Sequence, residues 1–285
     1  MEVSSLLFSK AKKEAIEIHE RVSNKYSSTV ANVQEKCETL YTKRQQSIIK
    51  IEEIEKLINN IANTPKEFKR SLTLIETELI KFRETESYAV ETYQNAVKSG
   101  AGMAVGVGAG VTTASLAPTA AIWVATTFGT ASTGTAISTL SGAAASKAAL
   151  AWLGGGALSA GGAGMAGGKA LLALAGPIGW TIAGISVAGF TFVHAKNNKK
   201  LSKEIIEEAK EINLTEAELR KTGEFISNIY NETTLLMSNI DMQLDKAKQL
   251  NGNIYLSLSN DERLLLGALV NNTLSLAEIL NKIAE

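Results

Sequence analysis

The sequence contains few of the residues from which disulfide, metal and catalytic sites are built. Of its 285 residues, one is cysteine, two are histidine and three are proline. The single cysteine, Cys37, excludes an internal disulfide framework and a cysteine zinc site. Because the formal net charge is zero, no overall basic field favours nucleic acid as a partner. We therefore expect no nucleic-acid partner.

The N-terminus lacks the apolar run of a secretory signal peptide. Only residues 6–8 form an apolar run before charged residues resume, whereas a signal peptide needs roughly 7–15 apolar residues. We therefore expect a soluble cytoplasmic form that associates with membrane. The alternative is a protein secreted by a non-classical route.

Acidic residues are absent from residues 99–195, which we call the central block. Its ionisable side chains are Lys147, Lys169 and His194. It holds 20 of the 23 glycines and all three tryptophans, Trp123, Trp152 and Trp180. This change in composition predicts three segments: an N-terminal helical hairpin arm (1–98), a hydrophobic Gly/Ala-rich membrane-inserting segment (99–195) and a C-terminal helical arm (196–285).

The N-terminal arm has the heptad periodicity of long amphipathic helices. Its first seam comprises Val30, Val33, Cys37, Leu40, Arg44, Ser47, Ile51, Ile54, Ile58 and Ile61, of which Arg44 and Ser47 are the polar members. Upstream, we expect the stripe to run through Ala11, Ala15, Ile18, Val22 and Tyr26, with His19 solvated. The sequence NTPKE then breaks the helix and starts a second one, which predicts an antiparallel hairpin. At 1.5 Å per residue, the first helix would be about 90 Å long.

The C-terminal arm also has apolar residues at helical spacing. A capping box at Thr215 and Glu218 predicts a helix start there, NGN at residues 251–253 predicts a helix end, and a shorter helix is expected over about 260–284. No segment shows the period-two alternation of strands. We predict an all-α fold, an elongated bundle of long amphipathic helices with a central glycine-rich hydrophobic hairpin.

The central block contains two candidate membrane spans, residues 101–128 and 170–195. Each is uncharged for more than 20 residues, and about 20 helical residues cross a hydrocarbon core. Glycines at four-residue spacing allow two helices in lipid to approach closely. The residues expected to insert or pack there are Gly102, Gly106, Gly110, Trp123, Trp152, Leu171, Leu172, Trp180, Gly184 and Phe190. By the positive-inside tendency, Lys196, Lys199, Lys200 and Lys203 are expected at the membrane interface.

Other interpretations of the glycines are a soluble glycine-rich core hairpin and a flexible linker. A nucleotide site does not fit: Gly162, Gly164 and Gly167 spell G-x-G-x-x-G, but no strand precedes them and no acid follows until Glu204. The two histidines are far apart in the sequence, which is a poor basis for a metal or nucleophile site. We therefore expect no catalytic residue, cofactor or metal site, and interpret the protein as a non-enzyme.

Two amphipathic arms around one apolar, glycine-rich hairpin resemble the α-helical pore-forming toxins of the cytolysin A and haemolysin BL type. The resemblance lies in the order of segments along nearly the whole chain. It implies a soluble helical rod that releases its hairpin, inserts into a lipid bilayer and oligomerises with itself or a partner helical protein through the heptad seams. The leading hypothesis is thus a pore-forming toxin or a bacterial effector acting on its own cell's membrane. The alternatives are a membrane-anchored coiled-coil scaffold without pore activity and a purely soluble helical adaptor.

Overall fold

The fold is all-α in the residues that the computed structural model describes, which are 2–96, 117–129, 131, 133–153 and 198–282. The helices are α1 (Glu2–Asn59), α2 (Lys66–Ala96), α3 (Ala117–Phe128), α4 (Gly142–Leu153), α5 (Asn198–Ala247) and α6 (Asn260–Ile279). Within these ranges there is no strand, and the one isolated bridge joins Ala62 to Ile254. The predicted fold class is confirmed at this level. Most of the predicted central hairpin lies outside the described residues.

The chain divides into two compact units. The first unit comprises Met1–Lys36 and Ala89–Glu224, and the second comprises Cys37–Tyr88 and Phe225–Glu285. All three boundaries between the units fall inside long helices, so α1, α2 and α5 each contribute residues to both units. The described part of the central block belongs to the first unit.

The second unit packs segments of α1, α2, α5 and α6 around the predicted heptad seam. The seam residues buried there are Cys37, Leu40, Arg44, Ser47, Ile51, Ile54, Ile58 and Ile61. Tyr41 donates a hydrogen bond to Glu86, and Arg83 pairs with Glu52. Since residues later in α1 pair with residues earlier in α2, the two helices are antiparallel, as the break at NTPKE predicts.

A buried arginine holds the C-terminal end of α6 in the second unit. Arg44 is fully buried, and its Nη2 donates to the carbonyl oxygens of Ile279 (3.0 Å) and Lys282 (3.4 Å). The last carbonyls of a helix lack partners within the helix, so the guanidinium supplies donors that they need. Burial lowers the pKa of Arg44. Asn281 fixes the same end to α2 by donating to the carbonyl oxygen of Glu78 at 2.8 Å.

In the first unit, the buried face of α1 differs from the predicted one. Ala15 packs with Ile205 of α5, and His19 and Ser23 are buried on the same face, whereas Ile18 is 40% exposed. The predicted stripe through Ile18 and the predicted solvation of His19 are therefore wrong. Steps of four residues from Ala15 bring His19 and Ser23 to this face, where Ser23 Oγ lies 3.4 Å from His19 Nδ1. This polar pair can be buried because its members interact with each other.

The helix start predicted at Thr215 is also wrong, because α5 runs without interruption from Asn198 to Ala247. Glu216, which follows Thr215, is 2% exposed. Its carboxylate accepts hydrogen bonds from Lys25 Nζ at 2.7 Å and from Thr29 Oγ1 at 3.0 Å. These contacts with α1 fix Glu216 within the helix, so the local capping signal does not decide the backbone conformation here.

Candidate membrane-inserting segment

The described part of the central block forms two short helices, α3 and α4, and a 3₁₀ turn at Ile137–Thr139 between them. Pro118 stands in the first turn of α3, where the missing N–H is tolerated. α3 contains no charged residue, and Lys147 is the one charged residue of α4. Lys147 is exposed, so this structured part of the block buries no charge.

The second half of α3, residues 122–128, is buried around its whole circumference. Residues 122–128 are each at most 8% exposed, and this run covers nearly two helical turns. The ring of Trp123 packs edge-on against that of Phe128, with centroids 5.8 Å apart and planes at 87°. A helix that is apolar on all sides is typical of a protein core or a membrane, and is unlike the amphipathic arms.

Two threonine hydroxyls of α3 bond to the backbone of their own helix. Thr126 Oγ1 donates to the carbonyl oxygens of Ile122 (3.0 Å) and Trp123 (2.9 Å). Thr127 Oγ1 donates to the carbonyl oxygen of Trp123 at 2.7 Å. Both partners of these hydrogen bonds belong to the same helix, so the bonds do not depend on the surroundings of the helix.

Gly129 is the point where the end of α3 meets the 3₁₀ turn and α4. A Cβ added at Gly129 would stand 2.3 Å from the carbonyl oxygen of Ala125, 2.9 Å from Ile137 Cδ1 and 3.2 Å from Trp152 Cδ2. The Gly129 carbonyl accepts from the Ile137 N–H at 2.9 Å. Glycine is therefore required here for close packing. Close packing was predicted at other glycines, because the need for glycine at position 129 arises from Ile137 and Trp152, which no local sequence pattern places against it.

α4 attaches the central block to α2. Ser146 Oγ lies 3.2 Å from Thr92 Oγ1 of α2, and Thr92 is 4% exposed. In α4, Ala145 and Ala149 are buried, whereas Lys147 is exposed. The buried face of α4 thus consists of small side chains, and one pair of hydroxyls joins the block to α2 of the N-terminal arm.

The structure describes only some of the residues predicted to contact membrane. Trp123 is 1% exposed and Trp152 is half-buried; both belong to the core around Gly129. Lys199 and Lys200 lie in the first turn of α5, and Lys203 is exposed. The predicted residues that lie outside the described residues are Gly102, Gly106, Gly110, Leu171, Leu172, Trp180, Gly184, Phe190 and Lys196. Their roles stay predictions.

Of the helices that the structure describes, none is both long enough and apolar enough to span a membrane. In the same part of the chain, His, Cys, Asp and Glu side chains form no group of three or more suited to a metal ion. No protein-family model, curated protein or solved structure matches the chain.

Proposed function

We propose that the chain is a pore-forming α-helical protein that stores its central block in the folded state, then inserts it into a lipid bilayer and oligomerises. The observation that carries this proposal is α3. It is an uncharged helix whose residues 122–128 are buried on all sides, and the hydroxyls of Thr126 and Thr127 are satisfied within the helix. Hydrocarbon offers no partners to polar groups, and α3 brings no charge into it, while Thr126 and Thr127 carry their own hydrogen bonds.

The length of α3 defines what insertion requires. Its 12 residues cover about 18 Å, whereas the hydrocarbon core is about 30 Å thick. The candidate span that ends in α3, residues 101–128, is uncharged and is long enough to cross this core as a continuous helix. The proposal therefore requires a helix that includes both α3 and the residues preceding it in the inserted state.

The contact between α2 and α4 defines what must break. Among the described contacts, the hydroxyls of Thr92 and Ser146 join the arm to the block, and such a bond contributes only about 1 kcal/mol. Release of α4 from α2 must break this bond, which is not an ion pair. Release of the block before insertion is also what the resemblance implies, since the order of segments resembles that of the cytolysin A and haemolysin BL type of toxin.

A reversible disulfide between positions 92 and 146 tests the proposal. The hydroxyl oxygens of Thr92 and Ser146 are 3.2 Å apart, so cysteines at both positions are placed to bridge. The variant would carry Thr92→Cys and Ser146→Cys with Cys37→Ala, and each single cysteine in the same background is the matched control. Release of a trapped dye from liposomes is the readout.

The proposal predicts that the oxidised double variant is inactive and that a reducing agent restores dye release. The single-cysteine controls should leak in both conditions. Dye release by the oxidised double variant would show that α4 need not leave α2. If no variant releases dye but the protein stays membrane-bound from synthesis, the membrane-anchored scaffold replaces the pore.

A further inference from the structure

Two connections of the second unit are joined at one end of its helices. Residues 60–65 connect α1 to α2, and residues 251–259 connect α5 to α6. The N–H of Ala62 donates to the carbonyl oxygen of Asn253 at 2.9 Å, and the N–H of Tyr255 donates to the carbonyl oxygen of Ala62 at 2.8 Å. We call these connections with their adjoining helical turns, residues 56–70 and 248–264, the tip.

Side chains fix the tip further. The Tyr255 ring packs edge-on against Phe68, with centroids 5.6 Å apart, and the Arg263 guanidinium lies 5.6 Å from the Tyr255 ring centroid. Arg263 Nη2 also donates to the carbonyl oxygen of Leu256 at 2.6 Å. These contacts hold residues 254–256 in one conformation and so remove much of the entropy that a flexible loop would lose on binding.

This rigid tip displays large apolar side chains to solvent. Leu264 is 71% exposed, Leu256 is 68% exposed and Ile254 is 49% exposed, whereas Leu258 in the same connection is buried. The connection between α5 and α6 thus buries one apolar side chain, Leu258, and exposes two others, Ile254 and Leu256. Arg263, the residue before Leu264, bonds to the backbone carbonyl of Leu256, so the start of α6 is tied to the connection that carries Leu256.

The tip is basic in a chain with no net charge. It has six cationic residues and three acidic ones. Four exposed cations are Lys56, Lys66, Lys69 and Arg70. A fifth, Lys248, is also exposed but pairs with Glu53 and Asp245, which lie outside the tip. One of the three acids, Glu262, is engaged in a capping box, where its Oε2 accepts from the Ser259 N–H at 2.7 Å. Exposed leucines within a basic surround are typical of surfaces that bind anionic membrane interfaces.

We infer that the tip is a docking surface for an anionic lipid bilayer. Leu256, Leu264 and Ile254 enter the boundary between headgroups and acyl chains, while the exposed lysines bind lipid phosphates. The inference rests on the proposed function in taking a bilayer as the target. Docking by the tip does not require release of the central block, so the two can be tested apart.

Vesicle co-sedimentation of the full chain tests the tip. The variant carries Leu256→Asn and Leu264→Asn; the matched control carries Leu235→Asn and Met242→Asn, which are 67% and 59% exposed in the same unit. A third variant, Lys66→Glu with Lys69→Glu, tests the charge. Vesicles of phosphatidylcholine alone are compared with vesicles that also contain phosphatidylglycerol.

We expect the leucine variant to bind anionic vesicles about tenfold or more weakly than the control. The lysine variant should lose the preference for phosphatidylglycerol. Equal binding by the leucine variant and its control overturns the inference, and so does a lysine variant that keeps the full preference for phosphatidylglycerol. The measurement is repeated with the oxidised cysteine variant of positions 92 and 146, in which the block is held.

Dye release separates this inference from the proposed function. Tip-dependent binding without dye release by any variant supports the docking surface and overturns the pore. Dye release that is the same in wild type and in both tip variants supports the pore and overturns the docking surface.

Discussion

Gly223 of α5 lies so close to Val33 of α1 that a Cβ added to the glycine would stand 2.7 Å from Val33 Cγ2. Real Cβ contacts do not reach this distance, and the β-branched valine has little freedom to move away. Within the first unit, α1 and α5 thus pack closely because position 223 has no side chain.

We predict that Gly223→Ala lowers the free energy of unfolding by about 1–2 kcal/mol, although alanine is the better helix former. The matched control is Gly267→Ala in α6, where nothing lies within 4 Å of an added Cβ; this change should stabilise by about 0.5–1 kcal/mol. Urea denaturation measures both. Adding Val33→Ala should recover part of the loss at position 223, and equal effects at positions 223 and 267 would contradict the close packing.

Arg44→Ala should destabilise the second unit by about 3 kcal/mol, since it leaves a cavity and deprives the carbonyl oxygens of Ile279 and Lys282 of their donor. The control is Arg83→Ala, because Arg83 is about half exposed in its pair with Glu52. Surface pairs contribute about 0–1 kcal/mol. Thermal unfolding compares the two variants, and similar losses would show that Arg44 does not hold α6.

Glu216 should make the first unit sensitive to acid. The hydrogen bond from Lys25, followed by that from Thr29, lowers the pKa of Glu216 below its ordinary value. A carboxylate with a lowered pKa stabilises the fold above the unfolded value of about 4.3, and this contribution is lost as the pH falls through the lowered value. Arg220, on the same helix, acts in the same direction.

We therefore predict that the unfolding midpoint of wild type falls more steeply below pH 4.3 than that of Glu216→Gln. The glutamine keeps the size of the side chain and removes its titration. Identical pH profiles for the two proteins would show that the contact between Lys25 and Glu216 does not contribute to stability.

Gly129→Ala should disrupt the core of the central block, because the added Cβ would overlap the carbonyl oxygen of Ala125. We expect a red shift of tryptophan emission, since all three tryptophans lie in the block, and faster dye release from liposomes because the block is stored less firmly. Gly267→Ala in α6 is the control, because nothing lies within 4 Å of an added Cβ there and its φ is not positive. Unchanged emission in the Gly129 variant would argue against the packing described.

Much of the fold follows from the local periodicity of the sequence. The seam through Leu40, Ile51 and Ile54 is apolar at steps of three and four, and these residues are buried in the second unit. The helix break near Pro65 and the end of α5 near residue 251 also follow from residues that disfavour helix continuation.

The remaining features depend on residues distant in sequence. Burial of Glu216 requires Lys25 and Thr29 of α1, which no helical periodicity identifies as its partners. The tip likewise joins Ala62 to Asn253 and Tyr255, which lie about 190 residues further along the chain. Gly129 stands out only once Trp152 is placed against it.

Fluorescence quenching of Trp123 tests the central claim most directly, because this side chain is 1% exposed in the folded protein. A variant with Trp152→Phe and Trp180→Phe leaves Trp123 as the only reporter. The protein is mixed with anionic liposomes that contain lipids brominated along the acyl chain. We predict that the emission of Trp123, unquenched before mixing, is quenched as dye is released. Emission that stays unquenched while the protein is bound to the liposomes would contradict insertion of the central block.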